Sequence, residues 1–223
     1  MNKSTLALAV SLAALASEAS AAGFIEDSKA SIGLRNFYYD LNTKNTANNN
    51  GEAREWGQGF IFNYASGFTQ GTVGFGVDAI GLLGVKLDSG GRAGKAGRDR
   101  TPGQLFPLDS NGSAVDDYSK AGVTAKLRVS KTEARIGTLQ PKLPVVTFND
   151  GRLLPQTFEG GQITSSEIGG LTLTAGQLES TKTRSSTDDI ALRIAGASGE
   201  ADTNTFYFAG GDWKATKDLT LQY

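Results

Sequence analysis

The stretch Val123-Thr124-Ala125-Lys126-Leu127-Arg128-Val129 alternates apolar with polar side chains, and Ala134-Arg135-Ile136-Gly137-Thr138 continues the pattern after the turn Ser130-Lys131-Thr132. Successive side chains of a strand point to opposite faces of a sheet. This hairpin therefore has one apolar face and one cationic face. Such a pair suits a sheet whose apolar face meets lipid and whose cationic face lines water. The hairpin predicts membrane-spanning strands beside an aqueous channel.

The same alternation recurs along the chain, for example in residues 56–64 and 72–87. Strands are predicted at residues 29–40, 55–65, 71–88, 120–130, 133–140, 160–168, 171–180, 203–214 and from 219 onward. Several reach the ~9–11 residues that a tilted spanning strand needs. Short and long connections alternate, as they do in outer-membrane barrels. The pattern predicts an all-β fold, a transmembrane antiparallel β-barrel.

The number of strands bears on how such a barrel closes. Residues 189–195 also alternate, but a spanning strand there would break the rhythm of short and long connections, so we place them within a long outer loop. Nine strands then precede Tyr223, whereas single-chain bacterial barrels have even numbers. Either eight strands close alone or the chain is the first part of a longer barrel. The interior of an eight-stranded barrel has room only for its own side chains, so it could not hold the long loop at residues 140–159. This favours a longer barrel that is truncated at the C-terminus.

The N-terminus has the features of a secretory leader. Lys3 supplies a positive charge, residues 6–16 are apolar, and Ala19-Ser20-Ala21 is a small-residue cleavage pattern. We predict a signal peptide at residues 1–21 and the barrel at residues 22–223. The apolar run is shorter than the ~20 residues of a spanning helix.

The composition narrows the possible functions. The chain has no Cys and no His, so the usual zinc sites, Cys nucleophiles and Ser-His-Asp relays are not available. We expect a protein that is not an enzyme and that uses no cofactor and no metal. A net charge of −1 provides no general attraction to nucleic acid, so no nucleic-acid partner is expected.

The faces opposite the apolar stripes carry a set of cations. These predicted luminal residues form a basic track: Arg35, Lys86, Lys126, Arg128 and Arg135. Two acids, Asp78 and Glu133, are predicted on the same face. Lys126 and Arg128 are two residues apart on one strand, which spaces them by ~7 Å. Cations along a confined aqueous path favour the passage of carboxylates. The alternative is that these residues form ion pairs that merely keep the lumen hydrated.

The loop at residues 140–159 is predicted to fold into the barrel and narrow it. Its apolar residues need burial, which we expect inside the barrel: Leu143, Val145, Val146, Leu153 and Leu154. Asn149-Asp150-Gly151 is a turn signal that places Asn149, Asp150 and Arg152 at the constriction. Arg152 is suited to bind a carboxylate through two hydrogen bonds. Alternatively, Asp150 and Arg152 tie the loop to the barrel wall.

At these residues the chain resembles the OprD (Occ) family of substrate-specific outer-membrane porins. The similar segments are Gly23-Phe24-Ile25-Glu26-Asp27-Ser28-Lys29-Ala30, Gly71-Thr72-Val73-Gly74-Phe75-Gly76-Val77-Asp78-Ala79, Gly137-Thr138-Leu139-Gln140-Pro141-Lys142-Leu143-Pro144-Val145 and Asn149-Asp150-Gly151-Arg152-Leu153-Leu154-Pro155-Gln156-Thr157-Phe158. The resemblance implies an eighteen-stranded channel for small carboxylates, with an inward-folded third loop and a luminal basic ladder. The chain would supply about half of that barrel.

The leading hypothesis is therefore a porin in the outer membrane of a Gram-negative bacterium. Its partners would be the lipid bilayer, small anionic or zwitterionic solutes such as amino acids and aromatic or organic acids, and the barrel strands beyond this chain. Two alternatives remain at this point. One is an outer-membrane barrel enzyme or adhesin, and the other is a soluble exported β-sandwich that binds a ligand.

Overall fold

The computed structural model describes residues 21–42, 52–91, 102–194 and 202–223. The predicted signal peptide, except for Ala21, lies outside the described residues. No helix in the described ranges is long and apolar enough to cross a membrane. The described residues form one short helix, α1 (Ala21–Phe24), and twelve strands. The strands are β1 (Lys29–Asn42), β2 (Glu52–Ala65), β3 (Val73–Ser89), β4 (Asp117–Val129), β5 (Thr132–Leu139), β6 (Lys142–Leu143), β7 (Val146–Thr147), β8 (Thr157–Ser165), β9 (Leu171–Lys182), β10 (Asp189–Ala191), β11 (Phe206–Lys214) and β12 (Thr220–Gln222).

Nine of these strands form one antiparallel path in the order β1-β2-β3-β4-β5-β8-β9-β11-β12. The predicted all-β antiparallel fold is confirmed. The prediction that residues 189–195 do not span is also confirmed in the part described. Only Asp189–Ala191 is a strand, and it folds back on the end of β9 with Asp189 opposite Lys182. β6 and β7 form a separate two-stranded hairpin, which the alternation pattern did not predict.

The limits of β8 differ from the prediction of residues 160–168. Thr157 pairs with Lys182 and extends the ladder at one end of the strand. At the other end, the Glu167 carboxylate accepts hydrogen bonds from the neighbouring turn, including one from the backbone N–H of Lys131 at 2.7 Å, so this segment is a turn. The loop predicted at residues 140–159 therefore spans residues 140–156, and we call it the inner loop.

The two faces of the sheet have opposite characters. Along β3, Val73 and Phe75 are exposed, whereas Gly74 and Gly76 are buried. The exposed apolar side chains of what we call the outer face are Ile32, Leu34, Tyr38, Trp56, Phe62, Val73, Phe75, Leu83, Leu87, Val123, Leu127, Val129, Ile136, Ile163, Leu173, Tyr207, Trp213 and Leu221. A soluble protein rarely exposes so large an apolar area. The outer face is what a sheet in contact with lipid requires.

The opposite face, which we call the inner face, is covered by loops. Leu153 and Leu154 of the inner loop are fully buried, in a cluster with Leu82, Leu105, Phe106, Ala114 and Tyr118. Gly57 leaves room for this cluster, because a Cβ atom there would lie 2.6 Å from Phe106 Cζ and 2.8 Å from Leu153 Cδ2. The inner loop thus packs on the sheet as predicted.

A second apolar cluster covers the inner face further along the sheet. It contains the buried residues Leu139, Phe158, Leu178, Leu192 and Phe208, with Leu143, Val146 and Phe148 of the inner loop packed against it. The prediction for Val145 was wrong. Its side chain is 62 % exposed, because it lies between β6 and β7, at the bend of that hairpin.

Candidate functional site

The inner loop presents its polar residues from a hydrogen-bonded turn. The Asn149 side-chain oxygen accepts the backbone N–H of Gly151 at 3.0 Å. The Asn149 carbonyl oxygen accepts the backbone N–H of Gln156 at 2.9 Å, and the Gln156 side-chain oxygen accepts the backbone N–H of Asn149 at 3.1 Å. Asn149 thus shapes the turn that carries Asp150 and Arg152.

Asp150 contacts the wall of the sheet. Its two carboxylate oxygens accept hydrogen bonds from the two terminal nitrogens of Arg35 on β1, at 2.7 and 3.1 Å. Arg35 also donates to the Arg152 carbonyl oxygen at 2.7 Å. The ion pair that ties this loop to the wall therefore joins Asp150 to Arg35, and not to Arg152.

Arg152 lies near a second arginine, since Nη1 of Arg184 would be 3.7 Å from a Cβ atom added to the adjacent residue Gly151. The Cζ of Arg152 is 4.6 Å from the centre of the Tyr39 ring, and its Nε is buried without a hydrogen-bond partner. Arg184, in the segment that follows β9, has a lowered pKa because of burial and because of the charge of Arg152, while Tyr39 acts in the opposite direction. Within the described ranges, neither arginine forms an ion pair with a carboxylate.

Arg184 was not singled out in the sequence. A signal for it was available, because Arg184 follows the end of β9 and Arg152 precedes the start of β8. These two strand ends are paired, so both arginines lie at the same end of the sheet. The structure brings Tyr39, Arg152 and Arg184 together over the inner face. We call this group the arginine pair with its ring.

Three predicted track residues cluster near the turn between β4 and β5. Lys126 is buried, and its Nζ lies 2.6 Å from Asp78 Oδ1 and donates to the Ser66 carbonyl oxygen at 2.9 Å. Arg135 pairs with Glu133 and lies 3.7 Å from the other oxygen of Asp78. These cations are therefore largely compensated by carboxylates.

Arg128 is placed differently. Its Cζ lies 4.0 Å from the centre of the Phe68 ring, and among the described residues it has no carboxylate partner. Because the Lys126 ammonium approaches the same ring at 4.8 Å, Phe68 is shared by two cations. An aromatic face attracts cations through its quadrupole, which fixes Arg128 without neutralising it.

Lys86 lies at the other end of β3. Its Nζ forms an ion pair with Asp116 at 2.7 Å and donates to the Ala114 carbonyl oxygen at 2.8 Å. The hydrogen bond and the charge of Lys86 lower the pKa of the Asp116 carboxyl. All five predicted track residues thus project from the inner face, but the structure separates them into three places.

A buried carboxylate on β2, which the sequence interpretation missed, fixes a second loop. Glu55 is fully buried and accepts backbone N–H groups from Gly103, Gln104 and Leu105 at 3.2, 2.6 and 2.8 Å. Successive N–H groups that converge in this way form a concave anion site. Gly103 has a φ of +104°, which suits glycine. The segment is thereby held against the inner loop.

No group of three or more His, Cys, Asp or Glu side chains in the described ranges is placed to hold a metal ion. The candidate site is instead a polar surface on the inner face, in which the arginine pair with its ring and Arg128 have no carboxylate partner among the described residues.

Comparison with known proteins agrees with this architecture. The family model described as outer membrane porin, OprD family, matches residues 22–223. A curated relative, the porin-like protein GalP of Pseudomonas putida, is 42 % identical over 219 residues, which cover 97 % of this chain and 50 % of that protein. The chain spans about half the length of the curated relatives it matches.

Solved structures of Pseudomonas aeruginosa proteins are also similar. OccK8 (OprE) is 59 % identical with a TM-score of 0.78, over 91 % of this chain and 46 % of that one. OpdK, solved with vanillate, is 40 % identical with a TM-score of 0.78, over 90 % of this chain and 49 % of that one. The exposed apolar outer face and the inward-folded loop agree with these matches. The chain belongs to the OprD family of outer-membrane porins.

Proposed function

We propose that the complete protein is a diffusion channel in the outer membrane for small carboxylate-bearing solutes, and that the arginine pair with its ring is the main contact for the carboxylate. The observation that carries this proposal is the proximity of two arginines, Arg152 and Arg184, neither of which has a carboxylate partner among the described residues. An uncompensated pair of like charges is costly when partly desolvated. A passing anion relieves that cost.

The chemistry of the pair favours a planar anion. A guanidinium presents a fork of N–H donors that matches the two oxygens of a carboxylate. The Arg152 Nε is buried, so the terminal nitrogens are the donors for a solute, and of these Nη1 also donates to the Gly151 carbonyl oxygen at 3.0 Å. The Tyr39 ring under Arg152 holds the guanidinium plane in place by a cation–π contact.

Asp150 does not weaken the selectivity for anions, because its charge is compensated by a residue other than Arg152. Because both of its oxygens accept hydrogen bonds from Arg35, Asp150 is neutralised by a residue of the wall. Asn149 serves the site indirectly, by holding the turn. The local charge beside Arg152 is therefore positive, although an aspartate lies two residues away in the sequence.

The predicted basic track has a secondary role in the proposal. Arg128 is the member without a carboxylate partner in the described ranges, and it lies near the turn between β4 and β5. Lys86, Lys126, Arg135 and Arg35 are paired with acids. We assign Arg128 as a second contact for the anion, and the four paired residues as a hydrated wall that keeps the potential from becoming negative.

The relatives support a channel function and not an enzymatic one, because the family consists of porins. One similar protein, OpdK, was solved with vanillate, which carries a carboxylate on an aromatic ring. The exposed apolar outer face argues against a soluble sandwich. The bilayer and small anionic or zwitterionic solutes are the partners that this reading implies.

Planar-bilayer recordings on the full-length protein test the assignment. The reversal potential in a gradient of a sodium carboxylate should show less anion preference in Arg152→Ala than in the unmodified protein. A matched control is Arg193→Ala, which removes an exposed arginine paired with Asp202 outside the inner loop. An unchanged reversal potential in Arg152→Ala, or an equal change in the control, would exclude Arg152 as the selective contact.

A further inference from the structure

Lys120 is a buried cation with no acidic partner in the part of the chain that the structure describes. It lies on the inner face of β4 and is 5 % exposed. Its Nζ donates to the carbonyl oxygens of Pro155 and Thr183, at 2.9 and 2.8 Å. A buried ammonium requires compensation, and here backbone carbonyl dipoles provide it.

The two carbonyl oxygens belong to different loops. Pro155 is near the end of the inner loop, three residues after Arg152, and Thr183 directly precedes Arg184. Lys120 thus joins the backbone next to one member of the arginine pair to the backbone next to the other. No other described side chain donates to carbonyl groups of both segments.

The neighbouring inward residue of β4 reinforces this link. The Tyr118 hydroxyl lies 2.9 Å from the carbonyl oxygen of Arg184 and 2.9 Å from that of Leu105. Its single proton is shared between the two acceptors or donated to one at a time. Lys120 can donate to both of its acceptors at once, so it is the stronger tether.

Arg152 and Arg184 repel each other, so a contact that holds their two loops together is needed. Two guanidiniums at close range in a partly desolvated site push each other apart. Arg35 and the burial of Leu153 and Leu154 fix the inner loop to the sheet, but these contacts do not include the segment that carries Arg184. The position of that segment relative to the inner loop therefore depends on contacts between the two.

We propose that Lys120 is a positioning residue that binds both loops through their carbonyl oxygens and thereby holds Arg152 and Arg184 side by side. The role of the pair in carboxylate selection rests on the function proposed above, but the mechanical role of Lys120 does not. Loss of the tether lets the loops separate, and the channel then fluctuates between states of different conductance.

Single-channel recordings of the full-length protein in symmetric KCl test this role without any carboxylate solute. In Lys120→Met we expect the occupancy of sub-conductance states to rise at least roughly tenfold, which corresponds to about 1.4 kcal/mol, because the variant loses both hydrogen bonds from the ammonium group. Lys182→Met is the matched control, because Lys182 is a neighbouring lysine that pairs with the carboxylates of Asp189 and Glu159. Its occupancy of sub-conductance states should not change.

A double variant separates positioning from a general loss of stability. If Lys120 opposes the repulsion between Arg152 and Arg184, then Lys120→Met/Arg184→Gln should occupy sub-conductance states less often than Lys120→Met alone. Equal occupancy of sub-conductance states in the double and the single variant would contradict the proposal, because the loss of Arg184 does not stabilise a barrel that is merely unstable. Heat-modifiable migration on gels verifies folding of each variant.

Lys120→Gln serves if the methionine variant does not fold. The glutamine side chain is shorter and uncharged, so its amide forms weaker hydrogen bonds to the carbonyl oxygens than the ammonium does, and an intermediate occupancy of sub-conductance states is expected. Noise at the level of the unmodified protein in Lys120→Gln and in Lys120→Met would overturn the proposal, and so would equal noise in Lys182→Met. If the unmodified channel lacks carboxylate preference, the proposed function fails, while this assay in KCl still decides the role of Lys120.

Discussion

Arg35 on β1 binds Asp150 in the inner loop through two hydrogen bonds, from Nη1 to Oδ1 at 2.7 Å and from Nη2 to Oδ2 at 3.1 Å. The same guanidinium donates to the Arg152 carbonyl oxygen. One wall residue therefore neutralises the acid of the loop and fixes the backbone of its cation. This arrangement gives the Asp-Gly-Arg turn one free charge instead of a self-compensated pair.

Replacement of Arg35 should loosen the inner loop without unfolding the sheet. Arg35→Lys keeps the charge but loses the two-nitrogen fork, so we expect it to behave more like Arg35→Ala than like the unmodified protein in limited proteolysis of the inner loop. Because the pair is partly exposed, the loss in unfolding free energy should stay within about 1 kcal/mol. Full protection of the loop in Arg35→Lys would show that charge alone suffices. Arg54→Ala, which removes an arginine bound to Asp40, is the control.

Gly57→Ala should disturb the packing of both loops on the inner face. The new methyl group would meet Phe106 and Leu153, whose side chains are fully buried, and overpacking of this kind costs about 1–3 kcal/mol. Gly81→Ala is a matched control on the neighbouring strand β3, where the closest atom to the added Cβ is Phe62 Cβ at 3.8 Å. Thermal unfolding in detergent measures both. Equal stability of the two variants would contradict the packing described.

Glu55→Gln should release the segment that begins at Gly103. The amide keeps one acceptor oxygen but turns its nitrogen donors toward backbone N–H groups that the carboxylate now accepts. Loss of hydrogen bonds to a buried charge costs about 1.5–3 kcal/mol each in comparable proteins. Hydrogen exchange of the Gln104 and Leu105 amides should accelerate in the variant, whereas amides of β9 should not change. Unaltered exchange at residues 104 and 105 would mean that packing alone holds the segment.

Glu167 should contribute a pH-dependent part of the stability. Its carboxylate accepts hydrogen bonds from the Lys131 backbone N–H and the Ser130 hydroxyl, which lower its pKa below the usual value of 4.5. The contribution is therefore present above that value and is lost as the pH falls through the lowered pKa of the folded state. Glu167→Gln should unfold at a lower temperature than the unmodified protein at pH 7, and the two should converge in acid. The control is Glu179→Gln, at an exposed position on β9, where no such difference is expected.

The alternation of side chains was sufficient to predict the sheet, because burial on one face repeats every two residues. It placed Val123 and Leu127 on the outer face and Lys126 on the inner face correctly. It misplaced the start of β8, because the ladder with β9 continues to Thr157 across a bulge in which the register skips Glu179 of β9.

The contacts of the site were less accessible to sequence reasoning. The turn at Asn149, Asp150 and Gly151 could be recognised from local residue types, but the partner of Asp150 lies on β1, 115 residues away. The role of Lys120 depends on carbonyl groups, which every residue carries, so no residue type marks its acceptors. Long-range contacts of this kind become visible only when the loops are seen folded on the sheet.

The proposed channel selects solutes by their carboxylate. The most direct measurement is the rate of entry of vanillate and of its uncharged alcohol, vanillyl alcohol, into liposomes that contain the full-length protein, with Arg152→Ala and Arg184→Gln as variants. We expect vanillate to enter faster than the alcohol through the unmodified protein. In both variants this preference should be lost, with little change in the entry of the alcohol. Equal entry of the two solutes through the unmodified protein would contradict the claim.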